Sequence, residues 1–418
     1  MTPLSRQILR NDLLTRCFAR ADQNLGAYRR VGVEVELIPL DCLTGRRCPL
    51  ENEESVSTLG FLRRYGSRQR WRESSTAKGT PCFQLPAGGA ITFEPGGQLE
   101  YSSPPFHSAA HLLHNLRAVV LPLCSAASSE GIHLLASGID PVNSIEGAPL
   151  LLRAKRYDRM AQYLARRGPA GAQMMRQTAS LQVNVDFPPN GWRGWRVLNA
   201  ASPYITAMFA NSPIYRGRPT DYQSVRAAVW REVDPARTGL PYDERQPVEA
   251  YLEFALAAPA ILFPTIADNY ASFSQWMSHA SPSAEEWHDH LTTLFPEVRP
   301  RGHLELRSID SLPPEWFAAP IALITGIIFD AGALRAADDL LGAPDSSMLD
   351  RAAQCGLHDP LIARTARDLF EIGLRGCRTL GSHYFDPADL DQASTFFDRF
   401  TRRGRSPADD VLESAIAA

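Results

Sequence analysis

Four short segments alternate apolar and polar residues with period two, and their polar halves carry matching chemistry. In residues 30–40, Val31, Val33, Val35 and Leu37 point one way while Gly32, Glu34 and Glu36 point the other. Residues 91–102 place Thr92 and Glu94 on one face before Pro95-Gly96-Gly97, and Gln98, Glu100 and Ser102 on one after it. Residues 178–187 set Gln182, Asn184 and Asp186 against Leu181, Val183 and Val185. Residues 303–310 set His303, Glu305 and Arg307 against Leu304 and Leu306. Glutamates two apart on a strand stand about 7 Å apart at Cα, so Glu34 and Glu36 repel unless something cationic lies near. A solvated outer face accounts for one such strand. It does not account for carboxylates and amides recurring on all of them.

The rest of the chain frames these strands. Residues 4–28 predict an amphipathic helix, and residues 41–89, polar and rich in Gly, Ser and Arg, predict long loops with short strands. Helices are expected near 108–129, 153–167, 195–210 and 248–256, with a strand near 132–137. From Pro313 onward the pattern is helical, with Ile362, Ala366, Leu369, Phe370, Gly373 and Cys377 on one face. The apolar stretch Trp316–Leu334 is interrupted by Pro320, Gly326, Asp330 and Gly332, which predicts a buried core helix rather than a membrane span. The pattern is that of an α+β domain, with no linker dividing residues 1–418.

The polar faces define the chemistry. Hard oxygen ligands suit Mg²⁺, with Mn²⁺ as a second possibility, rather than zinc. No phosphate-loop motif is present, so a nucleotide's phosphates would be held by metal and cationic side chains. Lysine occurs only as Lys78 and Lys155, which leaves that task to arginine. Arg226, Arg231 and Arg237 flank Trp230 and Asp234-Pro235, while Arg299, Arg301 and Arg307 surround the fourth strand. Guanidinium forks match phosphate and carboxylate geometry. Arg307, alternating with Glu305 on the polar face, is the strongest candidate; Arg231 and Arg237 are candidates for nucleotide contact.

A formal net charge of −3 argues against a nucleic-acid partner. The run Arg63, Arg64, Arg68, Arg70, Arg72 reads as an arginine-rich loop, and His107, His111 and His114 as a solvated helix face. Seven scattered cysteines without a CxxC spacing, and no signal-peptide pattern, suit free thiols and the cytoplasm. A monomer or homodimer with no membrane association is expected.

The chain resembles the glutamate–cysteine ligases of the plant and bacterial type, including the ergothioneine-pathway branch. These are carboxylate–amine ligases with a glutamine-synthetase-like fold. The resemblance rests on Val31-Gly-Val-Glu-Val-Glu36, the run from Ile91 to Glu100, Lys155 to Met160, Met175 to Asp186, Ala210 to Pro213, Trp230 to Gly239, and Arg299 to Asp310. It implies a curved, mostly antiparallel six-stranded sheet with a polar active-site face, helices packed behind it, and a mainly helical C-terminus over 311–418. It implies metal binding by Glu34, Glu36, Glu94, Glu100 and Glu305, and metal and nucleotide contact by Gln182 and Asn184. Arg231 and Arg307 would contact phosphate. Gln98, Arg156, Tyr157 and Met160 would form the wall of the amino-acid pocket. The implied reaction uses ATP and Mg²⁺ to join glutamate's γ-carboxylate to the amine of cysteine through a γ-glutamyl phosphate. A related ligase with another amine or peptide acceptor would have the same strands, and a non-catalytic relative would have lost carboxylates that are all present here.

Overall fold

The computed structural model describes residues 4–19, 29–52, 56–76, 79–243, 246–263 and 270–417. The strands are β1 Val31–Asp41, β2 Arg72–Ser75, β3 Pro81–Gln84, β4 Ala90–Phe93, β5 Leu99–Ser102, β6 Ile132–Leu135, β7 Ser180–Val185, β8 Ile214–Tyr215, β9 Arg218–Pro219, β10 Val298–Pro300 and β11 Leu304–Asp310. Eight of them run in the order β10-β11-β7-β1-β5-β4-β3-β2, and β6 pairs with the far end of β1 to make a nine-stranded sheet; β8 and β9 form a separate hairpin. Each pairing in the large sheet is antiparallel. The mixed, mostly antiparallel architecture is the expected one, but the sheet has nine strands where six were expected. The additional pairings include the short hairpin β2–β3, inside the segment expected to hold long loops with short strands.

Alternation puts Val31, Val33, Val35, Leu37, Leu181, Val183, Val185, Leu304 and Leu306 into the core, none more than 1% exposed. They join one contiguous apolar cluster with the helices Ala109–Ser129, Gly191–Met208 and Ala318–Phe329. The register then fixes the polar neighbours: Glu305 opposite Asn184, Gln182 opposite Glu34, and Glu36 opposite Glu100, which faces Thr92 in turn.

The chain departs from its local reading in three places. Arg63, Arg64 and Arg68 lie on an amphipathic helix, Thr58–Arg68, because Leu59, Phe61, Leu62 and Tyr65 recur on a buried face. Near the N-terminus the helix Arg6–Asp12 passes into a π-helical turn, Leu13–Cys17; the rest of the helix expected there falls on residues 20–28, outside the described residues. Finally, the apolar stretch near 316–334 is two helices bent by 98°, Ala318–Phe329 and Ala331–Leu340. Asp330 takes an extended backbone and caps the second helix by accepting from the Ala333 amide at 2.7 Å. Every residue of Ala318–Phe329 is buried. Among the described residues no single helix is long and apolar enough to cross a membrane, although this bent pair passes that test by length and composition.

After β11 the described chain is helical to Ala417. Asp359 illustrates how these helices start: its carboxylate accepts from the Leu361 and Ile362 amides, ahead of Pro360 at the first helical position.

Candidate active site

The polar face of the sheet forms the floor of a cleft of about 440 Å³. Glu34, Glu36, Glu94, Glu100, Gln98, Gln182, Arg156, Tyr157, Met160 and Arg307 all line it. These residues come from β1, the β4–β5 hairpin, β7, β11 and the helix Lys155–Ala165, so the cleft is assembled by long-range pairing.

Glu36, Glu94 and Glu100 each present an oxygen within 4.8 Å of the others. Backbone geometry creates this convergence. Glu94 and Gln98 close the Pro95-Gly96-Gly97 turn, where the Gly97 amide donates to the Glu94 carbonyl at 2.7 Å and Gly97 adopts φ +81°. Glycine at 96 answers a close approach by the chain itself: a Cβ there would lie 2.4 Å from the Arg176 carbonyl oxygen. Glu36 accepts from the Ser180 amide at 2.7 Å and from Gln182 Nε2 at 3.0 Å. Glu100 accepts from Thr92 and Ser102 at 3.1 and 2.8 Å.

Crowded carboxylates hold protons. Burial, then the charges of Glu100 and Glu305, push Glu34 up to about 8. Burial followed by Glu100 raises Glu36 as well. Both groups are raised first by burial and then by neighbouring carboxylates, a cost that a bound cation would relieve. Two buried side-chain carbonyl oxygens, Gln98 Oε1 and Asn184 Oδ1, also lack hydrogen-bond partners among the described residues.

The opposite wall is basic. Arg307 donates to Gln182 Oε1 and Glu305 Oε1, both at 2.7 Å. Its guanidinium lies 5.3 Å from the centroid of the Trp230 ring and 5.8 Å from that of Phe295. The Arg226 guanidinium, fully enclosed, donates to the Arg307 carbonyl at 2.7 Å. Glu305 faces three arginines, accepting from Arg299 at 2.6 and 3.1 Å, Arg301 at 3.0 Å and Arg307. Burial pushes its carboxyl up, but these guanidiniums outweigh that and hold it well below the usual carboxylate range.

The expected residues therefore divide. Glu305, as placed, anchors arginines and stands apart from the Glu36–Glu94–Glu100 group. Asn184 sits beside it in the register, off the cleft lining. Arg231 turns away from the cleft and pairs with Asp350 at 2.8 Å. Arg237 is buried against Asp234 and Thr293 and reaches no cleft surface. Five residues separate Arg226 from Arg231, about 140° around a helix, so only one of them can face the sheet. Arg226, Trp230, Phe295, Thr76, Thr80, Arg299 and Arg301 also line the cleft. Trp230 had a detectable signal, because it follows Arg226 by one helical turn.

Outside the cleft, His107, His111 and His114 are exposed and all seven cysteines are free thiols.

A donor set for a hard cation beside an arginine wall is equipment for activating carboxylates or transferring phosphoryl groups. Comparison with known proteins narrows the class. Residues 30–415 match the model of glutamate-cysteine ligase family 2 (GCS2). Glutamate–cysteine ligase EgtA of Mycolicibacterium smegmatis is 33% identical over 349 residues, covering 80% of this chain and 79% of that protein. The chloroplastic glutamate–cysteine ligase of Arabidopsis thaliana is 28% identical, covering 98% of this chain and 80% of that protein. The crystal structure of glutamate–cysteine ligase from Francisella tularensis in complex with AMP has the same fold, with a TM-score of 0.55 at 12% identity over 92% of this chain and 84% of that one. The chain belongs to glutamate-cysteine ligase family 2 and is a ligase.

Proposed function

We propose that the cleft joins the γ-carboxylate of glutamate to the amine of cysteine using ATP, giving γ-glutamylcysteine, ADP and phosphate. The observation that carries this reading is the linked row Glu36–Gln182–Arg307, which sets the carboxylate cluster beside the arginine wall. Glutamate's γ-carboxylate oxygen attacks the γ-phosphorus of ATP, the bond to ADP breaks, and a γ-glutamyl phosphate forms. Oxide is a poor leaving group, whereas phosphate is a good one. The unprotonated amine then attacks the acyl carbon, the C–O bond to phosphate breaks, and the nitrogen loses a proton.

Such transfer depends on positioning and charge neutralisation. Arg307 supplies charge at the transferring group, oriented by Gln182, Glu305 and the Trp230 and Phe295 rings. Glu36, Glu94 and Glu100 would hold Mg²⁺ or Mn²⁺, with Glu34 adjoining, and the partnerless Gln98 oxygen suits a cation or a substrate N–H. A bound ion would neutralise phosphate charge. Gln98, Arg156, Tyr157 and Met160 would enclose the amino acid, whereas Arg231 and Arg237, as placed, contribute no phosphate contact. We read the whole chain as one catalytic domain acting on small molecules in the cytoplasm.

ADP release with Mg²⁺, glutamate and a panel of amines, followed by product mass, tests the reading. Arg307→Ala is expected to lower turnover about 10²–10³-fold, the usual cost of losing one preorganised charge partner. Turnover with another amine and none with cysteine would overturn the acceptor. Full activity in Arg307→Ala would overturn the site.

A further inference from the structure

The turn that aims Glu94 and Gln98 into the cleft is held from behind by a side chain that does not line the cleft. At its far end β1 folds back on itself. The Asp41 carboxylate accepts from the Leu43 and Thr44 amides at 3.1 and 2.7 Å, Gly45 adopts φ +66°, and Arg47 bridges to Leu40. The Arg47 side chain, 4% exposed, thus starts from the end of the strand that carries Glu34 and Glu36 and reaches the Pro95-Gly96-Gly97 turn. There its Nη2 donates to the Gly96 carbonyl at 2.5 Å. Asp140, on the loop after β6, faces Arg47 Nη1 at 3.8 Å and is itself fixed by the Val142 and Asn143 amides, each at 3.0 Å.

Stability alone does not account for this pair. Burying a guanidinium costs desolvation that a loosely spaced carboxylate does not fully return, and Arg47 Nη1 has no hydrogen-bond partner among the described residues. An apolar side chain would fill the same space at less cost. The flanks of the turn are held by other groups: the Leu151 and Leu152 amides donate to the Pro95 carbonyl at 2.8 and 3.1 Å, and Gln98 Nε2 donates to the Thr178 carbonyl at 2.9 Å. What the guanidinium adds is a charge-assisted hold on the middle of the turn, between Glu94 and Gln98.

We infer that Arg47 is a positioning residue for the cation: through the Gly96 carbonyl it fixes Glu94 against Glu36 and Glu100, and Asp140 keeps its guanidinium aimed. This role rests on the cation assignment proposed above and extends it to two residues outside the cleft lining.

Mn²⁺ binding to the full-length, metal-free protein, followed by electron paramagnetic resonance well below the melting temperature, tests it without requiring turnover. Arg47→Met is expected to raise the Mn²⁺ Kd about tenfold, the low end of what losing a partner behind the ligands costs. Arg47→Lys, which keeps a charged donor for the Gly96 carbonyl, is expected to recover most of that loss. Asp140→Asn keeps an oxygen for the Val142 and Asn143 amides but removes the charge facing Arg47, so it is expected to weaken Mn²⁺ binding in the same direction by a smaller factor. These two variants keep the test open if thermal melts show Arg47→Met to be unfolded. An unchanged Kd in the folded variants would overturn the role. So would equal weakening in Arg47→Met and Arg47→Lys, which marks packing rather than a donated hydrogen bond. Failure of the wild type to bind Mn²⁺ overturns the cation assignment and this role with it, whereas Mn²⁺ binding without ligation of cysteine overturns the proposed reaction alone.

Discussion

Arg307 donates to the side-chain oxygen of Gln182 at 2.7 Å, and the nitrogen of that same amide donates to Glu36 at 3.0 Å. One amide thus bridges the basic and acidic sides of the cleft and sets the orientation of both. Neither bond is local, since Gln182 lies 125 residues from Arg307 and 146 from Glu36.

Glu36 is buried and belongs to the only group of three carboxylates found to converge among the described residues. Glu36→Gln keeps its shape while removing a charge. The Mg²⁺ concentration giving half-maximal ADP release is expected to rise at least about tenfold, since a hard cation relies on anionic oxygen. Chelation of divalent ions is expected to abolish turnover in the wild type. Metal-independent activity would remove the cation from the assignment.

Trp230 presents its ring to Arg307, and its face is fixed by a T-shaped contact with Phe295 at 5.4 Å. Partly desolvated cation–π contacts contribute about 0.5–2 kcal/mol. Trp230→Leu should therefore lower kcat about 3- to 30-fold, with KM for cysteine nearly unchanged and most activity restored in Trp230→Phe. Steady-state kinetics decide this, and wild-type kcat in the leucine variant would show that the ring does not position Arg307.

Glu34 titrates at about 8 in the folded chain against an ordinary 4.5. Its folded value is raised, so its contribution to stability is complete below about 4.5 and is lost as pH rises through about 8. Glu36 acts in the same direction. Melting of the metal-free protein is expected to weaken across this window, with the slope reduced in Glu34→Gln and by added Mg²⁺. Glu305, held low, works the other way: its contribution is present above the ordinary carboxylate range and lost only in strong acid. Identical pH slopes for wild type and Glu34→Gln in EDTA would refute the assignment.

Gly96 has no room for a side chain, because a Cβ would sit 2.4–2.8 Å from three backbone atoms of Arg176. Gly96→Ala must displace the turn carrying Glu94 and Gln98 or the helix end opposite. A loss of about 1–3 kcal/mol is expected, measured by chemical denaturation together with a weaker Mg²⁺ response. Unaltered stability would mean that the two segments separate freely.

What the sequence determined by itself is the strand alternation and, with it, the carboxylates and amides that share a face. Period-two patterning is local: once Val31, Val33 and Val35 are buried, Glu34 and Glu36 must stand on the opposite side. The helical end after Asp310 was legible for the same reason, since an apolar face such as Ile362, Ala366, Leu369 and Phe370 is a local property. Tertiary structure alone decided which charges meet. Arg226 and Arg231 are equivalent in composition, yet the packing of the Val225–Val233 helix turns the first toward Arg307 and the second toward Asp350. Glu305 has the same chemistry as Glu36, yet the pairing of β10 with β11 brings Arg299 against it. The lining of the cleft likewise joins Arg156 to Arg299 and Arg301, distant in sequence. Electrostatic roles depend on distances between segments, and those distances exist only after the sheet has closed its long-range pairs.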